Sequence, residues 1–349
     1  MNKNYEVVDS FDKLPSPAYV CEEELLENNL KLLKRVQDET GVKILLALKG
    51  FAMHSTFDLC KKYLKGCCAS GLHEALLAKE EFGKEVHTYS PAFKDEEIDE
   101  IISISNHLVF NSFNQLKRYK DKAFKKVSLG VRLNPEYSSV EVDLYNPCAP
   151  NSRLGITKAN FDESQLQYLE GFHFHALCEQ NVDALEGALA NFEKNFSLYF
   201  SQLKWVNFGG GHHITRADYD VEGLINLLKD FKARYPHLEV YMEPGEAIGW
   251  QTGYLVATVL DIVNNGMDLA ILDTRKLQSE VDGQTASLGI SKANLKESEV
   301  NLRNKKAVYD RTLKMYNSSG GKYPSINELD DAKFAYESSV SSLEASKAK

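Results

Sequence analysis

The chain has 349 residues, of which 43% are apolar and 26% charged, and its formal net charge is −9. These values are typical of a globular protein, and the negative charge, which residues 1–274 carry, argues against nucleic-acid binding. No signal peptide or bilayer-spanning apolar run is recognised, and the six cysteines have neither zinc-site nor disulfide-framework spacing. A cytoplasmic location with reduced thiols is therefore expected.

Strands and helices are predicted to alternate along residues 16–248. A short strand over 16–21 and a helix over 22–40 come first, and eight further strands follow. These strands are predicted at 42–48, 66–69, 85–89, 107–111, 127–133, 171–177, 204–208 and 239–243. The helices between them are predicted at 71–82, 94–104, 113–123, 184–202 and 221–234. Eight such units favour a closed (β/α)8 barrel of the TIM type over an open doubly wound sheet.

A lysine follows the first of these eight strands. Lys49 comes directly after the apolar run 42–48, and the carboxyl ends of barrel strands carry the active site. A desolvated lysine can lose its proton near neutral pH and form a Schiff base with an aldehyde. The alternative is a lysine whose ammonium extends from the strand end into water.

Three other strand ends carry residues suited to chemistry. His175 shares a strand face with His173, so its imidazole is suited either to stacking on a flat cofactor ring or to packing in the core. A run of three glycines, 209–211, follows the seventh strand, where barrels often bind phosphate. Glu243 ends the eighth strand, where a carboxylate could hold the proton of a pyridine nitrogen or lie in a surface turn. The histidine spacing matches no helical zinc motif, so no metal is predicted.

An ordered set of motifs resembles the fold-type III pyridoxal-phosphate decarboxylases, which include the ornithine, diaminopimelate and carboxynorspermidine decarboxylases. The motifs are Leu48-Lys49, Cys68-Ala69-Ser70, Arg153-Leu154-Gly155, Phe174-His175, Gly209-Gly210-Gly211 and Glu243-Pro244-Gly245. Within that group, the strings at 145–150, 175–181 and 249–252 are most similar to the carboxynorspermidine decarboxylases. The resemblance covers residues 14–274 and implies a barrel of the alanine racemase and ornithine decarboxylase type.

The resemblance also implies a cofactor, a substrate and a set of site residues. Lys49 would bind pyridoxal 5'-phosphate covalently, His175 would stack on its ring and Glu243 would pair with its pyridine nitrogen. Further cofactor contacts are implied for Ser70, Arg153, Gly209, Gly210 and Gly211, and substrate contacts for Glu179, Glu246 and Asp273. The implied reaction is decarboxylation of carboxynorspermidine or carboxyspermidine to norspermidine or spermidine, a step of polyamine biosynthesis. The family implies a homodimer, and neither nucleic acid nor membrane is an expected partner.

The resemblance ends near Thr274, and a different kind of sequence follows. The family continues through a β-domain that supplies a catalytic cysteine, whereas no cysteine follows Cys178. We therefore expect a truncated β-domain over 249–274 and impaired activity, after a barrel domain over 1–248. Residues 275–349 carry apolar residues at heptad spacing and predict an antiparallel helical hairpin, or coiled coil. Ser325 is expected to cap its second helix together with Glu328.

The hairpin resembles the α-hairpin of periplasmic membrane-fusion adaptor proteins, which indicates a fusion that is either natural or artefactual. Two alternative functions stay open. One is a non-catalytic chain whose hairpin mediates assembly with an unknown partner. The other is a related pyridoxal-phosphate decarboxylase of the ornithine or diaminopimelate type.

Overall fold

The computed structural model of the chain describes residues 14, 16–140, 145–264, 266–272 and 298–347. These residues form two compact units, of which one is Val20–Tyr254 and the other comprises the remaining described residues. Asp273 and the heptad positions before residue 298 lie outside the described part of the chain. No helix in the described ranges has the length and apolar content that a membrane crossing requires.

A closed barrel of eight parallel strands forms the centre of the Val20–Tyr254 unit. A short strand, β1 (Ala18–Cys21), precedes it. The barrel strands are β2 (Lys43–Ala47), β3 (Gly66–Ala69), β4 (Glu85–Ser90), β5 (His107–Phe110), β6 (Ser128–Arg132), β7 (Gly171–His173), β8 (Trp205–Asn207) and β9 (Glu239–Met242). They pair in sequence order, and β9 closes the barrel by pairing with β2. The predicted fold class is confirmed.

Helices surround the barrel, and local sequence explains several of their ends. They are α1 (Glu23–Thr40), α2 (Phe57–Tyr63), α3 (Leu72–Leu77), α4 (Ile98–Ile104), α5 (Phe113–Ala123), α6 (Val182–Phe196), α7 (Val221–Arg234) and α8 (Glu246–Gly249). The bounds of α5 and α7 match the predicted ones, because Ser112 and Asp220 cap their first turns by accepting hydrogen bonds from backbone amides. The helix predicted over 71–82 is α3 followed by a π-helical turn.

Apolar side chains fill the space between the strands and the helices. On α1, Leu26, Leu30 and Leu33 are completely buried at helical spacing. The barrel interior is smaller and more polar, with Leu45, Val109, Trp205 and Tyr241 packed at its centre. Strand β7 is shorter than the predicted 171–177 because the chain leaves the ladder after Phe174, whose amide donates to the Asn207 carbonyl. That departure turns the residues after His173 towards the mouth of the barrel.

Beyond the barrel strands, the described residues contain short strands and a helical hairpin. Strand β10 (Gly253–Val256) pairs with β1, and β11 (Val259–Asn264) pairs antiparallel with β12 (Asp268–Leu272). Helix α9, described over residues 298–318, is followed by α10 (Ile326–Lys347). The rings of Tyr309 and Tyr336 stack between the two helices, with centroids 5.8 Å apart. Ser325 and Glu328 exchange hydrogen bonds as a capping box at the start of α10, as predicted.

Candidate active site

The turns after β2 and β9 bring Lys49 and Glu243 to the same end of the barrel. The Ala47 amide donates to the Pro244 carbonyl at 3.3 Å. A Cβ added to Gly50 would lie 2.9 Å from the Cα of Gly245, so the two turns are in van der Waals contact. The Lys49 side chain is exposed at this mouth. Because parallel barrels carry their chemistry at the carboxyl ends of the strands, this face is the candidate site.

Glu243 is a buried carboxylate held by two neighbours. Its Oε1 accepts a hydrogen bond of 2.7 Å from Asn207 Nδ2, and its Oε2 lies 3.5 Å from His173 Nε2. Burial by itself would raise the pKa of Glu243, but the contact with His173, together with the Asn207 hydrogen bond, outweighs burial and lowers the pKa to about 2. The carboxylate is therefore ionised at neutral pH.

His175 presents a neutral imidazole close to Glu243. Its Nδ1 accepts a hydrogen bond of 3.1 Å from the Gly210 amide, which leaves the ring proton on Nε2. Burial, followed by the charges of Lys49 and Arg132, lowers the pKa of His175 well below its ordinary value. A neutral, flat ring fixed through one nitrogen is suited to stacking against a planar cofactor.

The glycine run after β8 has the close approach that its sequence predicts. Gly209 and Gly211 adopt φ values of 68° and 84°. A Cβ at Gly209 would lie 2.4 Å from the Phe174 carbonyl oxygen, and one at Gly211 would lie 2.2 Å from the Leu177 carbonyl oxygen, so neither position admits a side chain. The Gly209 amide donates to Asn207 Oδ1 at 2.8 Å.

The Gly211 amide has no hydrogen-bond acceptor among the described residues. A free amide in a glycine turn can donate to a phosphate oxygen. The residues at this mouth therefore fit pyridoxal phosphate: an amine for the aldehyde, a carboxylate for the pyridine nitrogen, a flat imidazole, and an amide for the phosphate.

Four residues that sequence reasoning missed support this arrangement, of which Arg132 and Asn207 are buried and Tyr89 and Asn111 are partly buried. Arg132 donates from Nη1 to Tyr89 Oη at 2.8 Å and from Nη2 to the His175 carbonyl at 2.9 Å. Tyr89 in turn donates to Asn111 Oδ1 at 2.9 Å. The fourth is Asn207, which joins the glycine turn to Glu243. Their positions at or next to the carboxyl ends of barrel strands are the one sequence signal that could have found them.

The other residues predicted for the site lie around its rim. Ser70 is exposed directly after β3, and its amide donates to the Glu74 carboxylate at 2.7 Å. Arg153 is exposed, and its carbonyl accepts from Asn111 Nδ2 at 2.8 Å.

Two of the three predicted substrate carboxylates affect the pKa of the same thiol. Burial raises the pKa of Cys178, and the negative charges of Glu179 and Glu246 raise it further. Glu246 Oε1 is also 3.6 Å from His213 Nε2. Glu179 is exposed with a φ of 53°, a conformation that non-glycine residues rarely adopt. Asp273, the third, lies outside the described residues.

Comparison with known proteins identifies the class of this site. The carboxynorspermidine/carboxyspermidine decarboxylase of Campylobacter jejuni is 53% identical over 264 residues, which cover 76% of this chain and 69% of the relative. A carboxyaminopropylagmatine decarboxylase of Synechocystis is 45% identical over 72% of the chain and 65% of its own length. No family profile matches the chain.

The solved structures agree. The C. jejuni carboxynorspermidine decarboxylase, complexed with norspermidine, superposes with a TM-score of 0.69 at 52% identity, covering 74% of this chain and 68% of that one. Diaminopimelate decarboxylase of Helicobacter pylori shares the fold, with a TM-score of 0.64 at 19% identity over 75% and 71% of the two chains.

The barrel and its mouth thus define a decarboxylase of fold type III, a class that depends on pyridoxal phosphate. Within this class, the chain belongs to the carboxynorspermidine/carboxyspermidine decarboxylase family.

Proposed function

We propose that the chain binds pyridoxal phosphate through Lys49 and decarboxylates carboxynorspermidine or carboxyspermidine to norspermidine or spermidine. The observation that carries this proposal is the buried, ionised Glu243 at the barrel mouth that also presents Lys49. When bound, the cofactor supplies an electron sink for the charge that carbon dioxide leaves on the α-carbon. The relatives that are 36–53% identical and carry these substrates in their names support the choice of substrate.

Each site residue has a role that its contacts support. The Lys49 amine holds the cofactor and returns a proton to the α-carbon. Glu243, fixed by Asn207, keeps the pyridine nitrogen protonated, because an ionised carboxylate stabilises the charged ring. The neutral imidazole of His175 would pack against the ring and exclude water from one face. The amide of Gly211 donates to the phosphate, while Ser70 and Arg153 supply polar groups at the rim.

The rim carboxylates explain a preference for a polycationic substrate. Glu179 follows β7 and Glu246 follows β9 at the mouth, and the charge of each raises the pKa of Cys178. Secondary and primary amines are ammonium ions at neutral pH, and two carboxylates complement their charge. We expect Asp273 to add a third. The Synechocystis relative is named for carboxyaminopropylagmatine, so that compound belongs among the substrates to be compared.

Carbon dioxide release from a substrate panel tests the proposal. The panel contains carboxynorspermidine, carboxyspermidine, carboxyaminopropylagmatine, diaminopimelate and ornithine. We expect the first two to be preferred, Lys49→Ala to be inactive, and Glu246→Gln to raise KM more than it lowers kcat. A preference for ornithine or diaminopimelate would refute the substrate assignment. Wild-type protein without activity on any of the five compounds would refute the proposal that the chain is an enzyme.

Impaired turnover and a homodimer remain predictions. The same assay tests the first, since turnover equal to that of the C. jejuni relative would contradict it. Sedimentation of the cofactor-loaded chain tests the second, and a monomer would contradict it.

A further inference from the structure

The cofactor pocket contains the ligand set of a transition-metal site. A ring nitrogen of His173, a ring nitrogen of His175 and a carboxylate oxygen of Glu243 all lie within 4.8 Å of one another. Two imidazoles and one carboxylate form the protein ligand set of many catalytic zinc sites. The two histidines do not have the spacing of a helical zinc motif, because they lie two residues apart where β7 ends.

One of the three ligand distances is already close to the value that zinc requires, and the other two lie within 4.8 Å. Bonds of about 2.0–2.1 Å in a tetrahedral site place neighbouring ligand atoms about 3.3 Å apart. His173 Nε2 and Glu243 Oε2 are already 3.5 Å apart. His173 is 1% exposed, its Nδ1 has no hydrogen-bond partner within the described residues, and its Nε2 faces the Glu243 carboxylate. A metal held between Nε2 and that carboxylate would therefore replace one long contact and no hydrogen bond to another group.

The remaining contacts limit the affinity. His175 Nδ1 accepts from the Gly210 amide, so ligation by this ring costs that hydrogen bond. Lys49 and Arg132 add positive charge near the same histidines. The second His/Glu cluster of the described residues, Glu85, His87 and His107, is less suitable. Its two imidazoles stack face to face with centroids 3.9 Å apart, and one metal cannot lie in two stacked ring planes.

We propose that the cofactor-free pocket binds a divalent transition metal such as Zn²⁺ through His173, His175 and Glu243. Metal and pyridoxal phosphate then exclude each other, since Glu243 and His175 are needed for both. The exclusion rests on the proposed function, but the metal site itself does not, because it is assembled from side chains alone.

Zinc titration of the cofactor-stripped full chain, with a chromophoric chelator as competitor, tests the site. We expect one Zn²⁺ to bind, and His173→Gln to weaken that binding about ten-fold or more because one of three ligands is lost. His107→Gln, in the stacked cluster, is the matched control and should bind as the wild type does. Unchanged affinity in His173→Gln, or loss of affinity in His107→Gln, would overturn the proposal. If His173→Gln fails to fold by circular dichroism, Glu243→Gln takes its place with the same expected loss.

A second measurement addresses exclusion. The absorbance band of covalently bound pyridoxal phosphate is recorded during reloading, with and without one equivalent of Zn²⁺. We expect zinc to slow reloading of the wild type and to leave that of His173→Gln unaffected. Simultaneous binding of both would overturn the shared pocket. A wild type that binds zinc but never develops the band would refute the proposed function and leave the metal site supported.

Discussion

Asn207 is the residue whose removal the structure makes most informative. Its Nδ2 donates to Glu243 at 2.7 Å, and its Oδ1 accepts from the Gly209 amide at 2.8 Å, both in buried surroundings. Asn207→Ala leaves a buried carboxylate and a buried amide without these partners. The charge-assisted bond is worth about 2 kcal/mol and the orphaned amide costs about 1–2 kcal/mol, so we expect the free energy of unfolding to fall by about 3–4 kcal/mol.

Urea unfolding followed by tryptophan fluorescence measures this loss. Both tryptophans, Trp205 and Trp250, lie in the Val20–Tyr254 unit, so the signal reports that unit alone. Asn29→Ala is the matched control, because Asn29 Nδ2 also makes two hydrogen bonds, to the carbonyls of Ile248 and Trp250, and none to Glu243 or the glycine turn. We expect it to cost about 2 kcal/mol.

Cofactor binding separates the two variants. Asn207→Ala should weaken the binding of pyridoxal phosphate, because Glu243 and the glycine turn lose the side chain that joins them, whereas Asn29→Ala should not. The reasoning would be refuted if Asn207→Ala changed the free energy of unfolding by less than about 1 kcal/mol and bound the cofactor as tightly as the wild type.

Three further predictions address other parts of the chain. Gly209→Ala should destabilise the barrel far more than Gly83→Ala. Both glycines have positive φ, but only at Gly209 does a backbone oxygen lie 2.4 Å from the added Cβ. Comparable midpoints of urea unfolding for the two variants would contradict this prediction. The pKa of Glu85 is lowered to about 2, chiefly by its hydrogen bond with His87. The ionised carboxylate therefore contributes about 2 kcal/mol to the free energy of unfolding above about pH 4.5, and this contribution is lost as the pH falls towards 2. Urea unfolding across this pH range should show that the free energy of unfolding falls less steeply with pH in Glu85→Gln than in the wild type. Identical dependence on pH in the two proteins would argue against this role of Glu85. Tyr309→Ala should destabilise the helical hairpin by about 1 kcal/mol, because the ring stack with Tyr336 is lost. Proteolysis after residue 298 should be faster, while cofactor loading stays unchanged. An unchanged rate of proteolysis would count against a stabilising role of the stack.

The barrel could be predicted from the sequence because most of its strands are short, largely apolar segments between helices of clear periodicity. The residues that lie directly after these runs, such as Lys49, could be placed at the mouth for the same reason. Strand-end position could place Arg132 and Asn207 at the mouth as well, but it could not show their roles, which depend on partners on other strands. Likewise, the sequence shows three glycine amides but not that the first two already donate to Asn207 and His175.

The account depends most directly on which amine holds the cofactor. Borohydride reduction of the chain after incubation with pyridoxal phosphate, followed by peptide mass spectrometry, locates the reduced adduct. We predict one adduct, on Lys49, that disappears in Lys49→Ala. An adduct on a different lysine, or no adduct at all, would contradict the account.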